Sequence, residues 1–122
     1  MPRSSATSHE LARIELLVGL PGETLAELGK RMERHEVAPG TVLVREGEPG
    51  DRFFVVFAGM LAVNQRDRGH QGVLKPGDYF GEVALAMDVP RTATVTAMTP
   101  AVVASCDRPT FDEFLRSLFA ED

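Results

Sequence analysis

The apolar positions of this chain change period twice. Leu11, Ile14, Leu17 and Val18 recur at the spacing of one helix face, with Ser8 placed to cap it. Gly19-Leu-Pro-Gly22 interrupts that stripe. Leu25, Leu28 and Met32 form a second stripe, which predicts a helix from Glu23 to about Arg34. Both stripes read as helices resting on a core rather than as partner-binding faces. From Glu36 the pattern shortens. Val37, Thr41–Val44, Phe53–Phe57, Leu61–Val63, Thr92–Ala97 and Ala101–Ser105 alternate with turns such as Gly47-Glu-Pro-Gly-Asp51 and Lys75-Pro-Gly-Asp78. Many short strands at close spacing predict a small barrel or double-sheet jelly roll, with glycines supplying the positive φ that such turns need. The helical period returns at the end. Asp107 is placed as an N-cap, Pro109 fits the first turn, and Phe111, Phe114, Leu115 and Leu118 share a face.

Composition narrows the function classes. The 122 residues are one domain's worth, with 43% apolar and 25% charged residues, as in ordinary globular proteins. No run of eighteen apolar residues occurs, so no membrane span is expected. Residues 1–8 are polar and read as a flexible lead-in to a domain over 9–122. The net charge of −5 argues against nucleic-acid binding, which depends on a basic surface. It leaves room for a small anionic ligand, because one buried arginine can dominate a local field. The single cysteine, Cys106, excludes an internal disulfide and a cysteine zinc site. Its apolar surroundings in sequence suggest a structural thiol, and a cytoplasmic location is expected. His9, His35 and His70 are scattered, and Ser105 and Cys106 have no adjacent base in sequence. No metal site and no catalytic set emerges, so a non-enzyme is expected.

One segment carries most of the chemistry: Phe80-Gly-Glu-Val-Ala-Leu85, followed by Pro90-Arg-Thr-Ala93 and Val95. Gly81 lets a backbone approach closely, and Glu82 to Ala86 can form about one helical turn whose free amides suit an anion. Arg91 can give two charge-assisted bonds to phosphate oxygens. Phosphate would repel Glu82, whose natural role is to accept from a ribose hydroxyl. The alternative is an ordinary Glu82–Arg91 surface ion pair, worth about 0–1 kcal/mol. The residues alone leave the two readings open.

The same segment closely resembles the phosphate-binding cassette of the cyclic nucleotide-binding domain family. Val42-Leu-Val-Arg-Glu-Gly-Glu-Pro-Gly-Asp51, Phe53-Phe-Val-Val56 and Gly59 resemble that family's first barrel strands and turn. Leu74-Lys-Pro-Gly-Asp-Tyr-Phe80 resembles its approach to the cassette. The likeness runs from about Leu11 to Phe119. It implies an eight-stranded jelly-roll barrel with N-terminal helices, a short cassette helix and a C-terminal helix. It also implies a sensor for cyclic AMP or cyclic GMP that acts by ligand-induced conformational change. Glu82 would then hold the ribose 2′-hydroxyl, helped by the Gly81 backbone, and Arg91 the cyclic phosphate. The amides of Ala84 and Thr92 would complete a cradle that also includes Val83 and Ala93. Asp51 falls where the family often orients the arginine, or is a plain turn residue. The Thr92 hydroxyl would permit cyclic GMP without demanding it. Val63 and Val73 are candidates for a wall beside the base, or plain core. Leu85 and Phe114 are candidate coupling residues.

The resemblance weakens at the C-terminus. Family members usually carry a longer lid helix there, and here only Ala120-Glu-Asp122 follows. An absent lid or a fragment of a longer protein is expected, with an effector in cis or in trans. The rival reading is a protein-interaction module on the same fold that no longer responds to nucleotide.

Overall fold

The structure is a computed structural model that describes residues 5–119. Its N-terminal layer is helical but broken more often than the apolar stripes suggest. Helix α1 spans Ser8–Leu11, a 3-10 turn covers Glu15–Leu17, and α2 spans Gly22–Lys30. Thr7, not Ser8, caps α1. Its Oγ1 accepts from the Glu10 amide at 3.1 Å, while Glu10 Oε1 accepts from the Thr7 amide at 3.2 Å. Leu11, Ile14, Leu17, Leu25 and Leu28 are buried, whereas Val18 is exposed. Ser5 and Ala6, inside the expected lead-in, take part in the fold: Ser5 bridges to Glu33 and Ala6 is buried.

Eight strands follow. They are β1 (Glu33–Val37), β2 (Val42–Val44), β3 (Arg52–Ala58), β4 (Leu61–Gln65), β5 (Gly69–Leu74), β6 (Tyr79–Phe80), β7 (Thr94–Ala97) and β8 (Ala101–Asp107). The second helix therefore ends earlier than expected. Glu33 and Arg34 instead pair with Ser105 and Ala104, because β8 offers a continuous row of backbone partners. The strands form two antiparallel four-stranded sheets, ordered β1-β8-β3-β6 and β2-β7-β4-β5. This is a jelly roll of two facing sheets. The expected barrel is not closed. Among the described residues no ladder joins the sheets, and two of the edge strands, β2 and β6, have only three and two residues.

Side-chain alternation gives each sheet two faces. Between the sheets lie Phe54, Val56, Leu61, Phe80, Val95, Ala97 and Val103, with the Phe54 and Phe80 rings stacked at 4.7 Å. The opposite face of the first sheet presents Phe53, Val55, Ala104 and Cys106 to the helices, where Leu11, Ile14, Leu28, Leu85, Phe111 and Leu115 join them. Burial pushes the Cys106 thiol up to about 12, so it stays neutral and packs as an apolar group. Among the described residues no helix is long and apolar enough to cross a membrane.

Two short helices complete the fold. Helix α3 (Glu82–Met87) leaves β6 directly through Gly81. Helix α4 (Arg108–Phe114) starts at Asp107, whose Oδ1 accepts from the Thr110 amide at 3.0 Å, as expected for the N-cap. A 3-10 turn at Arg116–Phe119 brings Phe119 to 5.6 Å from the Tyr79 ring and 5.8 Å from the Phe111 ring.

Candidate functional site

The local geometry of the cassette begins at Gly81. Its φ of 97° is a conformation that L side chains rarely adopt, and a Cβ there would meet the Arg52 carbonyl oxygen at 2.8 Å and Arg91 Nη1 at 2.9 Å. Glycine thus allows β6 to turn sharply into α3 while the backbone passes against an arginine. No side chain caps the N-terminus of α3.

Arg91 is held from several directions. Its amide donates to the Glu48 carbonyl at 2.9 Å, and its own carbonyl accepts from the Gly47 amide at 2.8 Å. Both bonds tie it to the loop between β2 and β3. Its guanidinium is buried, with the whole residue only 7% exposed. Nη1 donates to the Gly81 carbonyl at 3.2 Å and Nη2 to the Arg52 carbonyl at 2.8 Å. Burial lowers the pKa of this group from its ordinary value, and the charge of Asp51 opposes that shift. Arg91 takes part in none of the ion pairs among the described residues, and neither does Glu82. The alternative of a Glu82–Arg91 surface pair is therefore not what the fold builds. Arginine keeps its proton in proteins, so the site holds a buried cation short of negative charge.

That cation borders a hollow of about 190 Å³. Gly81, Glu82, Val83, Ala84, Arg91, Thr92 and Ala93 form its polar end, and Val44, Val63, Leu74, Tyr79, Phe80 and Val95 its apolar walls. Seven of the residues singled out in the cassette are thus brought together, and Val63 joins them. Asp51 approaches Arg91 from another side, in a neighbouring cleft that both residues line with Glu48 and Phe54. Val73 is placed elsewhere. It pairs with Ala62, while Leu74 pairs with Leu61 and faces the hollow, so the register puts Val73 on the outer face of β5. Leu85 lies in the helix-side core with Phe111 and Leu115, and Phe114 sits at the edge of that cluster beneath Arg31.

Several contributors were not evident from the sequence. Gly50 is buried, and a Cβ there would stand 2.6 Å from Arg91 Nε and 2.6 Å from Ala84 Cβ. Gln65 Nε2 donates to the Thr92 carbonyl at 2.9 Å and fixes the backbone at the rim of the hollow. Tyr79 forms part of the wall, and its pKa is raised first by burial and then by the charge of Glu82. The motif Gly-Asp ahead of a strand was a visible signal for Gly50. Tyr79 lay in the stretch Leu74–Phe80 that resembles the approach to the cassette, and Gln65 had no signal.

The arrangement defines a class: a small-ligand binding jelly roll with a desolvated cationic end and an apolar end. The family follows from comparison. The model of the cyclic nucleotide-binding domain matches residues 34–117, and the chain belongs to that family. Over 114 residues it is 40% identical to a cAMP-dependent protein kinase regulatory subunit of Yarrowia lipolytica, an alignment covering 93% of this chain and 30% of that protein. Among solved structures, the regulatory domain of Toxoplasma gondii PKA in co-crystal with cAMP matches with a TM-score of 0.85 at 28% identity, covering 91% of this chain and 44% of that one. The regulatory subunit of a cAMP-independent protein kinase A from Trypanosoma brucei matches with a TM-score of 0.86 at 28% identity, covering 90% and 40%. The chain spans less than half the length of each of these relatives.

Proposed function

We propose that this cyclic nucleotide-binding regulatory domain takes cyclic AMP or cyclic GMP in the hollow beside α3. The cyclic phosphate sits on Arg91 and the amides of Ala84 and Thr92. Glu82 accepts from the ribose 2′-hydroxyl. The purine lies along Val63 and Leu74, with the Thr92 hydroxyl at its edge. The domain acts by binding rather than catalysis, and in the cytoplasm. Its effector is a protein, in cis or in trans, for which the regulatory-subunit relatives point to a protein kinase catalytic subunit.

One observation carries this reading: a buried guanidinium, with no carboxylate in ion-pair contact, at the end of an apolar-walled hollow. A phosphodiester anion satisfies it, and a neutral nucleoside does not. The likeness to a cAMP-independent regulatory subunit favours a second reading, in which the fold serves protein contact without nucleotide. Calorimetric titration with cyclic AMP, cyclic GMP and adenosine separates the two. Saturable binding of a cyclic nucleotide, with adenosine much weaker, is the expected result. No heat from either cyclic nucleotide up to millimolar concentration overturns the proposal in favour of the second reading.

A further inference from the structure

Arg108 lies outside the hollow, yet it holds both walls of the slot that contains Arg91. It is the first residue of α4, immediately after the Asp107 cap, so its stem leaves from a fixed base. Its Nη1 donates to the Leu85 carbonyl at 3.2 Å and its Nη2 to the Gly50 carbonyl at 3.2 Å. Asp88 Oδ1 stands 3.6 Å from the same Nη2. Gly50 backs directly onto the Arg91 guanidinium, and Leu85 follows Ala84 in α3. One planar fork thus sets the distance between the β2–β3 loop and the cassette helix. A lysine ammonium is a point charge and cannot reproduce that span.

Arg116 is a natural contrast. Its Nη2 donates to the Leu85 carbonyl at 3.1 Å and its Nη1 to the Ala86 carbonyl at 3.3 Å. Its Nε donates to Asp112 Oδ1 at 2.9 Å. It steadies the end of α3, where helix carbonyls lack intrahelical partners. It makes no bond to the β2–β3 loop.

We propose that Arg108 is a positioning residue for the ligand site, orienting Arg91 by fixing Gly50 against α3, and that a change at the phosphate end reaches α4 through it. The ligand in this proposal rests on the cyclic nucleotide reading; the positioning of Arg91 does not.

The test uses the full chain with Arg108→Met, Arg108→Lys and Arg116→Met. Four quantities are followed: cyclic AMP affinity by calorimetry, the Arg91 Nε–H resonance and the ligand-induced shifts of the Phe111 and Leu115 amides by NMR, and hydrogen exchange of the Ala84–Met87 amides. Arg108→Met should weaken cyclic AMP binding about tenfold, and Arg116→Met by no more than about threefold. The Arg91 resonance should move in both Arg108 variants and stay in place in Arg116→Met. The ligand-induced shifts of the Phe111 and Leu115 amides should shrink in Arg108→Met. Exchange at Ala84–Met87 should rise in both methionine variants. Unchanged affinity and an unmoved Arg91 resonance in a folded Arg108 variant overturn the proposal. So do equal affinity losses in Arg108→Met and Arg116→Met, which would mark general loosening of α3. If Arg108→Met does not fold, Arg108→Lys carries the comparison. If the parent chain binds no cyclic nucleotide, the ligand reading fails alone, and the Arg91 resonance still decides whether Arg108 positions it.

Discussion

Arg52 and Arg91 are neighbours in space and are held in opposite ways. Arg52, at the start of β3, donates from Nε to Ser105 Oγ at 3.0 Å, and its Nη2 lies 3.8 Å from Glu33 Oε2. Ser105 is fully buried and also meets His35 Nε2 at 3.1 Å. The Arg52 charge therefore has a carboxylate and a hydroxyl of its own, in a half-buried setting. Arg91 is more deeply buried, and its guanidinium donates only to carbonyls, one of them the main-chain carbonyl of Arg52, with Asp51 nearby but outside ion-pair contact. A cation that the fold has already paired is part of the architecture. A cation left short of negative charge costs free energy in the empty protein, and an incoming anion offsets that cost.

Replacing each arginine breaks the comparison in a different place. Arg91→Met should show the largest effect. Cyclic nucleotide binding should fall by about 2–5 kcal/mol, which is effective loss in a calorimetric titration. The melting temperature should change little, because the substitution also removes a buried charge that has no carboxylate in ion-pair contact. Arg52→Met should do the reverse. It should destabilise the domain by about 1–3 kcal/mol in chemical denaturation, because fully buried Ser105 loses the charged donor that its hydroxyl accepts from and keeps only its contact with His35. Affinity should hold, since only the main-chain carbonyl of Arg52 serves Arg91. An affinity loss as large as that of Arg91→Met would erase the distinction between the two residues.

Gly50→Ala sharpens the same contrast without touching a charge. The new methyl group presses on Arg91 Nε and Ala84 Cβ, both of which are buried. Displacing that guanidinium should weaken binding by about 1–3 kcal/mol, the usual scale of overpacking. Affinity and melting temperature, measured together, show whether the cost falls on the site or on the fold. A variant that loses stability but binds normally would mean that Arg91 tolerates a shifted position.

The sequence was most legible where a side chain's environment follows from its immediate neighbours. The Asp107 cap and the inward residues of β3 fall in this group; the glycine, carboxylate and arginine of the cassette stood out as a motif, but the setting of Arg91 comes from Arg52, Gly47 and Glu48 far along the chain. It was least legible where pairing with distant strands decides. Glu33-Arg-His-Glu36 is polar and continues a helical stripe, and only the ladder to β8 makes it a strand. Gly69-His-Gln-Gly72 has no apolar alternation, because β5 is an edge strand whose first half is exposed. That omission left the register of β5 free, and one step of register separates outward Val73 from inward Leu74. The role of Gly50 beside Arg91, and Gln65 altogether, escaped for a related reason. Each acts on a residue about forty or twenty-seven positions away, through contacts that no local pattern records.

Thr92 tests the finest part of the contrast, between backbone and side chain at one residue. Its carbonyl is anchored by Gln65 and the preceding residue by Glu48 and Gly47, so the main chain is fixed independently of the side chain. The side chain itself is exposed at the rim of the hollow. Thr92→Ala should therefore leave the phosphate end intact and remove a single hydroxyl. Cyclic AMP affinity should stay constant, and the preference for cyclic GMP over cyclic AMP should fall by about 0.5–1.5 kcal/mol, a factor of about two to ten. Paired titrations of the parent and the variant measure that ratio directly. An identical ratio would remove the hydroxyl from base recognition and leave the anchored backbone as the whole contribution of this position.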